Sequence, residues 1–377
     1  MKVNQFMPYI GLDEYEAIKP CFEDNWITEG PKSKQFETEL LELTGSKYGV
    51  FAQNGTLALY LGLKAMGIGP GDEVIVPNFT FIASANAVEM CGAKPVFVDS
   101  KKSDLQIDIR DCERAVNKNT KAIMPVHVFG LSANMDEVMD FATNKGLKVI
   151  EDAAQAIGIY WNKKHCGTFG DVGCFSFFAD KTITTGEGGF VVTDNEEVYD
   201  KMLYLRNQGR KNRGSFIHPE IGYNFRLTDI QSAMGLVQLR KLKEIQSKKI
   251  ALLNLYEENL KDLNQIRIIK PDSSSSTHVP FRVVIMSSSP VEGLLEHFKK
   301  KNIEVRTVFY PLHKQPCYSS PRHQLYTNNK GESTLNGEWN FPNSIHAYNH
   351  GVCLPSYPSL EKDKVDYVCD AIKEYYV

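Results

Sequence analysis

One lysine and one aspartate in this chain have the types and placement that amine–carbonyl chemistry needs. Lys181 lies in FSFFADKTITTGEGGF, residues 175–190, in a Ser-x4-Lys arrangement between an apolar run and a glycine-rich turn. Asp152 closes the preceding apolar run LKVIED. A lysine amine condenses with an aldehyde, and a carboxylate at a strand end can keep a ring nitrogen protonated. Pyridoxal phosphate requires both groups: Lys181 for the Schiff base and Asp152 for the pyridinium nitrogen, which makes the ring an electron sink. Displaced by an incoming amine, Lys181 would carry a proton between the donor α-carbon and C4′ of the cofactor. A base positioned in this way contributes about 10²–10⁴-fold. The cationic ring beside it would lower its pKa.

Such groups must be presented by rigid elements, and the first half of the chain supplies them. After a turn at Gly30-Pro31, KSKQFETELLELTG reads as an amphipathic helix ended by Gly45. NGTLALYLGLKAMG reads as a helix from about Gly55 to near Gly67, with Asn54 as N-cap. Strand EVIVP (73–77), helix SANAVEMCG, strand PVFVD (95–99), helix IRDCERAV, strand KAIMPVH, helix MDEVMDFATNKG and strand LKVIED follow. Continuous apolar strands alternating with helices predict a mostly parallel sheet covered on both faces. Ligands of such sheets sit outside the carboxyl ends of the strands, where Asp152 stands.

After Asp194 the pattern is more helical, through EEVYDKMLYLRNQ and a long stretch from Thr228 to Leu260. The basic run KLKEIQSKK within it reads as a solvated helix face. Beyond Leu260, RIIK, HVPFRVVIM, VEGLLEHFKKKN, EVRTVFYP and LEKDKVDYVCDAIKEYY predict a smaller α+β domain. Residues 319–348, rich in Asn, Ser, Pro and Gly, read as a long irregular loop. The expected organisation is a large α/β cofactor-binding domain over 1–250, its first 30 residues an arm, and a small C-terminal α+β domain over 251–377.

Composition narrows the function classes. The 377 residues are 42% hydrophobic and 24% charged, with a formal net charge of −3, so nothing points to a nucleic-acid partner. No apolar run reaches membrane-spanning length, and the N-terminus lacks a long apolar signal-type stretch, which predicts a cytoplasmic protein away from the membrane. Eight cysteines contain no Cys-x-x-Cys pair, and nine histidines form no His-x3-His or His-Glu-x-x-His group. Reduced thiols and no metal site are expected. The run from Gly186 to Gly189 lacks the ending of a P-loop and the spacing of a dinucleotide fingerprint. These glycines instead let the chain turn tightly beside a cofactor and enter the strand FVVTD.

The agreement extends along nearly the whole chain. WITEGPKSKQFE from Trp26, PGDEVIVPNFTFIASANAV, KAIMPVHVFG, FSFFADKTITTGEGG, IGYNFRLTDIQSAMGLVQL, VFYPLHKQPCY and LPSYPSL from Leu354 carry it. In these segments the chain resembles the DegT/StrS-type sugar-nucleotide aminotransferases, enzymes of fold-type I architecture. Its closest resemblance is to the GDP-perosamine synthases, which aminate C4 of GDP-4-keto-6-deoxymannose. The resemblance implies pyridoxal 5′-phosphate as cofactor, a nucleotide sugar and L-glutamate as substrates, and a homodimer with shared active sites. It also implies a place in deoxyaminosugar and O-antigen lipopolysaccharide biosynthesis. The alternatives are an aminotransferase for a UDP- or dTDP-linked keto-sugar, or a cofactor-sharing sugar dehydratase. Dehydratases of this kind commonly replace the lysine by histidine, so Lys181 opposes that reading. A binding module that had lost the chemistry would be expected to lack Lys181 or Asp152.

The resemblance also assigns roles. Gly55 and Thr56 at a helix start would bind the cofactor phosphate, as helix N-termini favour anions, together with the Ser176 hydroxyl. Asn224 in GYNFR would reach the phosphate of the neighbouring subunit. Gln155 would meet the cofactor O3′, and Phe81 would stack on its ring. Thr28, Glu29, His127, Arg306, Tyr310 and His313 would contact the sugar nucleotide, with Arg306 forked on the diphosphate. His127 equally fits a hydrogen-bonded core histidine. Two departures stand out. Pro280, Phe281 and Arg282 follow His278 where the perosamine synthases commonly carry an aromatic pair, and the segment from Tyr318 to Leu354 is longer. Arg282 either adds a cation near the sugar or faces solvent.

Overall fold

Buried apolar strands alternating with capped helices build one seven-stranded sheet. The computed structural model describes residues 1–210, 216–320, 323, 325–327, 333–335 and 340–376. Helices α1 (Leu12–Glu23) and α2 (Pro31–Thr44) precede strand β1 (Tyr48–Ala52), helix α3 (Gly55–Ala65) and strand β2 (Glu73–Pro77). Then come α4 (Ala83–Met90), β3 (Lys94–Val98), α5 (Ile109–Ala115), β4 (Thr120–Ile123), α6 (Met135–Lys145) and β5 (Lys148–Asp152). A small hairpin, β6 (Tyr160–Trp161) and β7 (Lys164–His165), leads to β8 (Val172–Ser176) and β9 (Gly189–Thr193).

The strand order is β1-β9-β8-β5-β4-β2-β3. Pairs from β8 to β3 are parallel, while β9 runs antiparallel to both β8 and β1. The mostly parallel sheet expected from the apolar runs is therefore present, with an antiparallel edge. Local chemistry sets the helix limits: the Asn54 side chain accepts the Leu57 N–H, and Gly146 ends α6 in the left-handed region.

Helices α7 (Glu196–Arg206), α8 (Asp229–Arg240) and α9 (Leu242–Leu260) lead to a second body. Its four strands are β10 (Ile266–Ile268), β11 (Val283–Ser287), β12 (Arg306–Thr307) and β15 (Gly351–Leu354), with a hairpin of β13 (Leu325–Thr327) and β14 (Ser333–Leu335) between the last two in sequence. The order β10-β11-β15-β12 is antiparallel throughout. Its core packs Val283, Ile285, Val352 and Leu354 against Leu294, Phe298, Val368 and Ile372. Leu252, Leu253, Tyr256 and Leu260 of α9 join this core, and so does Val3, which bridges to Ile303. The first residues of the arm thus begin in the second core. A smaller apolar cluster, with Phe79, Val126 and Phe129 from one body and Val284, Met286 and Val308 from the other, closes the seam.

Two expectations change. Within the expected loop 319–348, Pro342–His350 is a helix, begun by proline and held by the Asp99 carboxylate, which accepts the N–H groups of Asn343 and Ser344 at 2.9 Å. Residues 321, 322, 324, 328–332 and 336–339 of that loop lie outside the described residues. The basic run KLKEIQSKK is not simply a solvated face. Lys249 is buried, and Lys241 pairs with Glu14 at 2.9 Å. Among the described residues no helix is long and apolar enough to cross a membrane, and no cluster of His, Cys, Asp or Glu could hold a metal ion.

Candidate active site

Asp152 is the last residue of β5, at the carboxyl edge of the sheet. Its side chain is buried and fixed: Oδ2 accepts from Ser84 Oγ of α4 at 2.7 Å, and Oδ1 accepts the Ala154 N–H at 3.1 Å. Lys181 comes from the loop between β8 and β9. That loop is folded onto itself by Phe177 N–H to Gly188 O (2.8 Å), Thr185 N–H to Phe177 O (3.0 Å) and Lys181 N–H to Phe178 O (2.9 Å). The glycines have the reason the sequence proposes. Gly186 takes φ +79°, and a Cβ on Gly189 would stand 2.3 Å from Asn54 O. Lys181 makes no ion pair among the described residues, and its Nζ lies 4.8 Å from the Phe281 ring centroid. Burial lowers its pKa, against the opposing pull of Asp180 and Asp152.

A phosphate-sized anion has matched donors nearby. The Asn54 cap takes the Leu57 N–H, and among the described residues the N–H groups of Gly55 and Thr56 have no backbone partner. Glycine at 55 permits close approach to β8, because a Cβ there would stand 2.8 Å from Ser176 Cβ. Gln155 spends its amide oxygen on the Phe129 N–H (2.7 Å), which leaves the NH2 end to donate to an oxyanion. Phe81 is 59% exposed and offers an open aromatic face. One cavity of about 570 Å³ is lined by Gly55, Thr56, Phe81, Asp152, Gln155, Ser176, Lys181 and Arg306 together. An amine, a buried carboxylate, an aromatic face and an anion site form a donor set that fits pyridoxal phosphate.

Residues 8–373 match the family model described as the DegT/DnrJ/EryC1/StrS aminotransferase family. The chain belongs to this family. It is 38% identical over 374 residues to the GDP-perosamine synthase of Escherichia coli O157:H7, covering 98% of each chain. Among solved structures it resembles S. venezuelae DesV in complex with a ketimine intermediate, at 30% identity and TM-score 0.88, covering 97% of this chain and 94% of that one. The PLP-form of Spr1654 from Streptococcus pneumoniae shares the fold, with 24% identity, TM-score 0.90 and coverage of 100% and 98%. The fold-type I expectation and the aminotransferase class both stand.

Other residues that the family resemblance points to lie elsewhere. His127 is corrected: it is fully buried, with Nε2 3.0 Å from Glu151 Oε2 and Nδ1 accepting the Ala133 N–H at 3.1 Å. Both ring nitrogens are engaged in the core, so no substrate contact is open to it. Glu29 pairs with Arg206 and lines a separate groove of about 920 Å³, which also includes Tyr204 and Arg226. Thr28 O accepts the Asp229 N–H, and the Asn224 amide oxygen accepts from Arg226 Nε. Tyr310 packs edge-on against Tyr348. His313 Nδ1 meets Asn78 Oδ1 at 3.0 Å, and burial lowers its pKa to about 4. None of these five lines the cavity that holds Lys181.

Conversely, the cavity includes Thr80, Asp180, Phe281 and Phe309, which carry no assigned role above, and also Arg282. The choice left open for Arg282 resolves toward the interior: it is 6% exposed and does not face solvent. A sequence signal for it exists, since a lone arginine opening the apolar strand RVVIM demands a buried partner.

Proposed function

We propose that this chain transfers an amino group from L-glutamate to C4 of a nucleotide-linked 4-keto-6-deoxyhexose, of the GDP-4-keto-6-deoxymannose kind. The chain is a pyridoxal phosphate-dependent aminotransferase. The observation that carries the substrate reading is identity of 38% across 98% of a GDP-perosamine synthase, joined to a cavity in which Lys181 and Asp152 face one space.

When bound, pyridoxal phosphate supplies an aldehyde for amine exchange and a ring that stabilises a carbanion. Gly55, Thr56 and Ser176 would hold its phosphate, Phe81 would cover its ring, and the Gln155 NH2 would donate to its O3′. Asp152 would hold the ring nitrogen protonated. Lys181 would be the amine that bonds the cofactor and, once displaced, the base that moves a proton from the donor α-carbon to C4′ of the cofactor and, in the second half-reaction, from C4′ to C4 of the sugar. Its burial favours the neutral form that a base needs. Arg306 binds the diphosphate from the small domain, residues 251–377, across from the cofactor domain, residues 1–250. Thr28, Glu29, Tyr310 and His313 would contact substrate, and Asn224 would reach a neighbouring phosphate, in a homodimer with shared sites. The exposed apolar side chains Met7, Ile10, Leu12, Tyr15, Phe22, Trp26 and Ile27 favour such a dimer. The product would serve deoxyaminosugar and O-antigen synthesis.

Visible absorbance of the purified holo-protein tests this reading. L-glutamate is expected to bleach the band of the lysine-bound cofactor, and GDP-4-keto-6-deoxymannose to restore it. Restoration only by a UDP- or dTDP-linked keto-sugar would replace the substrate assignment and keep the reaction. A second experiment probes the phosphate site. Gly55→Ala pushes the α3 start away from Ser176 and is expected to weaken pyridoxal phosphate binding about tenfold or more, roughly 1.4 kcal/mol, with the fold retained. Fluorescence titration of the apo-protein reads this directly, and unchanged affinity would remove Gly55 from the phosphate site.

A further inference from the structure

The cavity holds a buried cation that the reaction above does not use. Arg282 stands immediately before β11, and its Nη2 donates to Asp180 Oδ2 at 2.7 Å. Asp180 is the neighbour of Lys181 in sequence. The Arg282 Cζ lies 4.7 Å from the Phe281 ring centroid, and Lys181 Nζ lies 4.8 Å from the same centroid. Asp180 therefore has two cations to choose between, and it pairs with the arginine.

The segment carrying Arg282 is itself tied down. The buried Lys249 amine of α9 donates to Pro280 O and Phe281 O, each at 3.3 Å, and to Ser356 O at 3.1 Å. Three carbonyls from two segments of the second body are thereby held to one helix. The guanidinium is thus delivered to Asp180 by a backbone with little freedom.

The physical stake is the protonation of Lys181. A carboxylate within reach of an amine favours the ammonium form, which can neither bond an aldehyde nor accept a proton. An arginine stays charged and presents a planar fork, so it is a durable partner for a buried carboxylate. We propose that Arg282 is a positioning residue that holds the Asp180 carboxylate away from Lys181 and so keeps that amine free. The proposal rests on Lys181 being the cofactor lysine.

The surrounding charges are few. Lys181 faces Asp180 on its own loop, Asp152 from β5, Glu187 from the turn before β9, and Arg282. Arg282 in turn faces Lys249 from α9, Arg306 from β12 and the Cys353 thiol from β15. Among the charges acting on Lys181, Asp180 raises its pKa most and Arg282 lowers it. Loss of the guanidinium therefore works in one direction.

The test is a pH titration of the visible band of the lysine-bound cofactor in the holo-protein. Arg282→Met is expected to raise the midpoint by about one unit or more, tenfold in proton affinity, as the released carboxylate turns to the lysine nitrogen. Asp180→Asn combined with Arg282→Met removes both charges and leaves no buried unpaired ion, so it folds even where the single variant does not. Its midpoint is expected within about 0.3 units of the parent, an effect below twofold. An unchanged or lowered midpoint in Arg282→Met overturns the proposal, and so does a double variant far from the parent value. A parent protein that shows no visible band with cofactor overturns the lysine reading itself, and this proposal with it.

Discussion

Replacing Lys181 by alanine is expected to abolish turnover, with a loss of about 10⁴-fold or more, because in the proposed function one amine would both bond the cofactor and carry the proton. The variant is expected to fold normally. Lys181 makes no ion pair among the described residues, and its backbone N–H bond to Phe178 O survives the change. Purified Lys181→Ala should bind cofactor without the visible band of the lysine-bound form and show no multiple turnover with glutamate and keto-sugar. Lys181→Arg keeps a cation in place but cannot condense, and it should be equally inactive. Full activity in the alanine variant would sink the assignment.

The second large effect belongs to Asp152. Asp152→Asn is nearly isosteric, and its remaining oxygen can still accept from Ser84 Oγ, so the strand end should keep its position. What disappears is the negative charge that favours a protonated ring nitrogen. The expected loss in kcat is about 10²–10³-fold, the scale of removing one fixed electrostatic stabiliser from an active site. The thermal midpoint should hardly move. Steady-state kinetics beside a melting curve decide the matter, and activity within threefold of the parent would remove Asp152 from the ring-nitrogen role.

These two residues are legible in the sequence because each sits at a boundary that local patterning marks. The run LKVIED stops at an acid, and FSFF gives way to a glycine-rich turn, so strand ends and their cargo are visible together. Capping makes the start of α3 equally plain, since Asn54-Gly55-Thr56 announces a helix N-terminus. Strand β1 is not visible in this way: five residues between two helices gain their pairing only from β9, about 140 positions on. The helix Pro342–His350 hides for the same reason, as its N-terminus is held by Asp99 from β3's end rather than by its own sequence. Arg282 and Asp180 are 102 residues apart, and neither local run announces the other. Lys249 offered a signal that charge counting conceals. It falls on the same face of α9 as Ile245, Leu252, Leu253 and Tyr256, so its helical position is that of a core residue.

The cavity's two walls come from different cores, and this has a consequence for redesign. Lys181, Asp152, Gly55 and Ser176 belong to the seven-stranded sheet and its loops, whereas Phe281, Arg282, Arg306 and Phe309 belong to the second body or the strand entering it. The strands of the second wall form a sheet of their own, tied to the first wall where Arg282 meets Asp180 and the Phe281 N–H donates to Phe129 O. Changes at Arg306 or Phe309 can therefore alter one face of the cavity while the Arg282–Asp180 pair and the lysine loop stay as they are. An engineer can use that route by grafting residues 303–310 from a relative with another preference, a swap that exchanges part of one face of the cavity and keeps both Arg282 and the lysine in place.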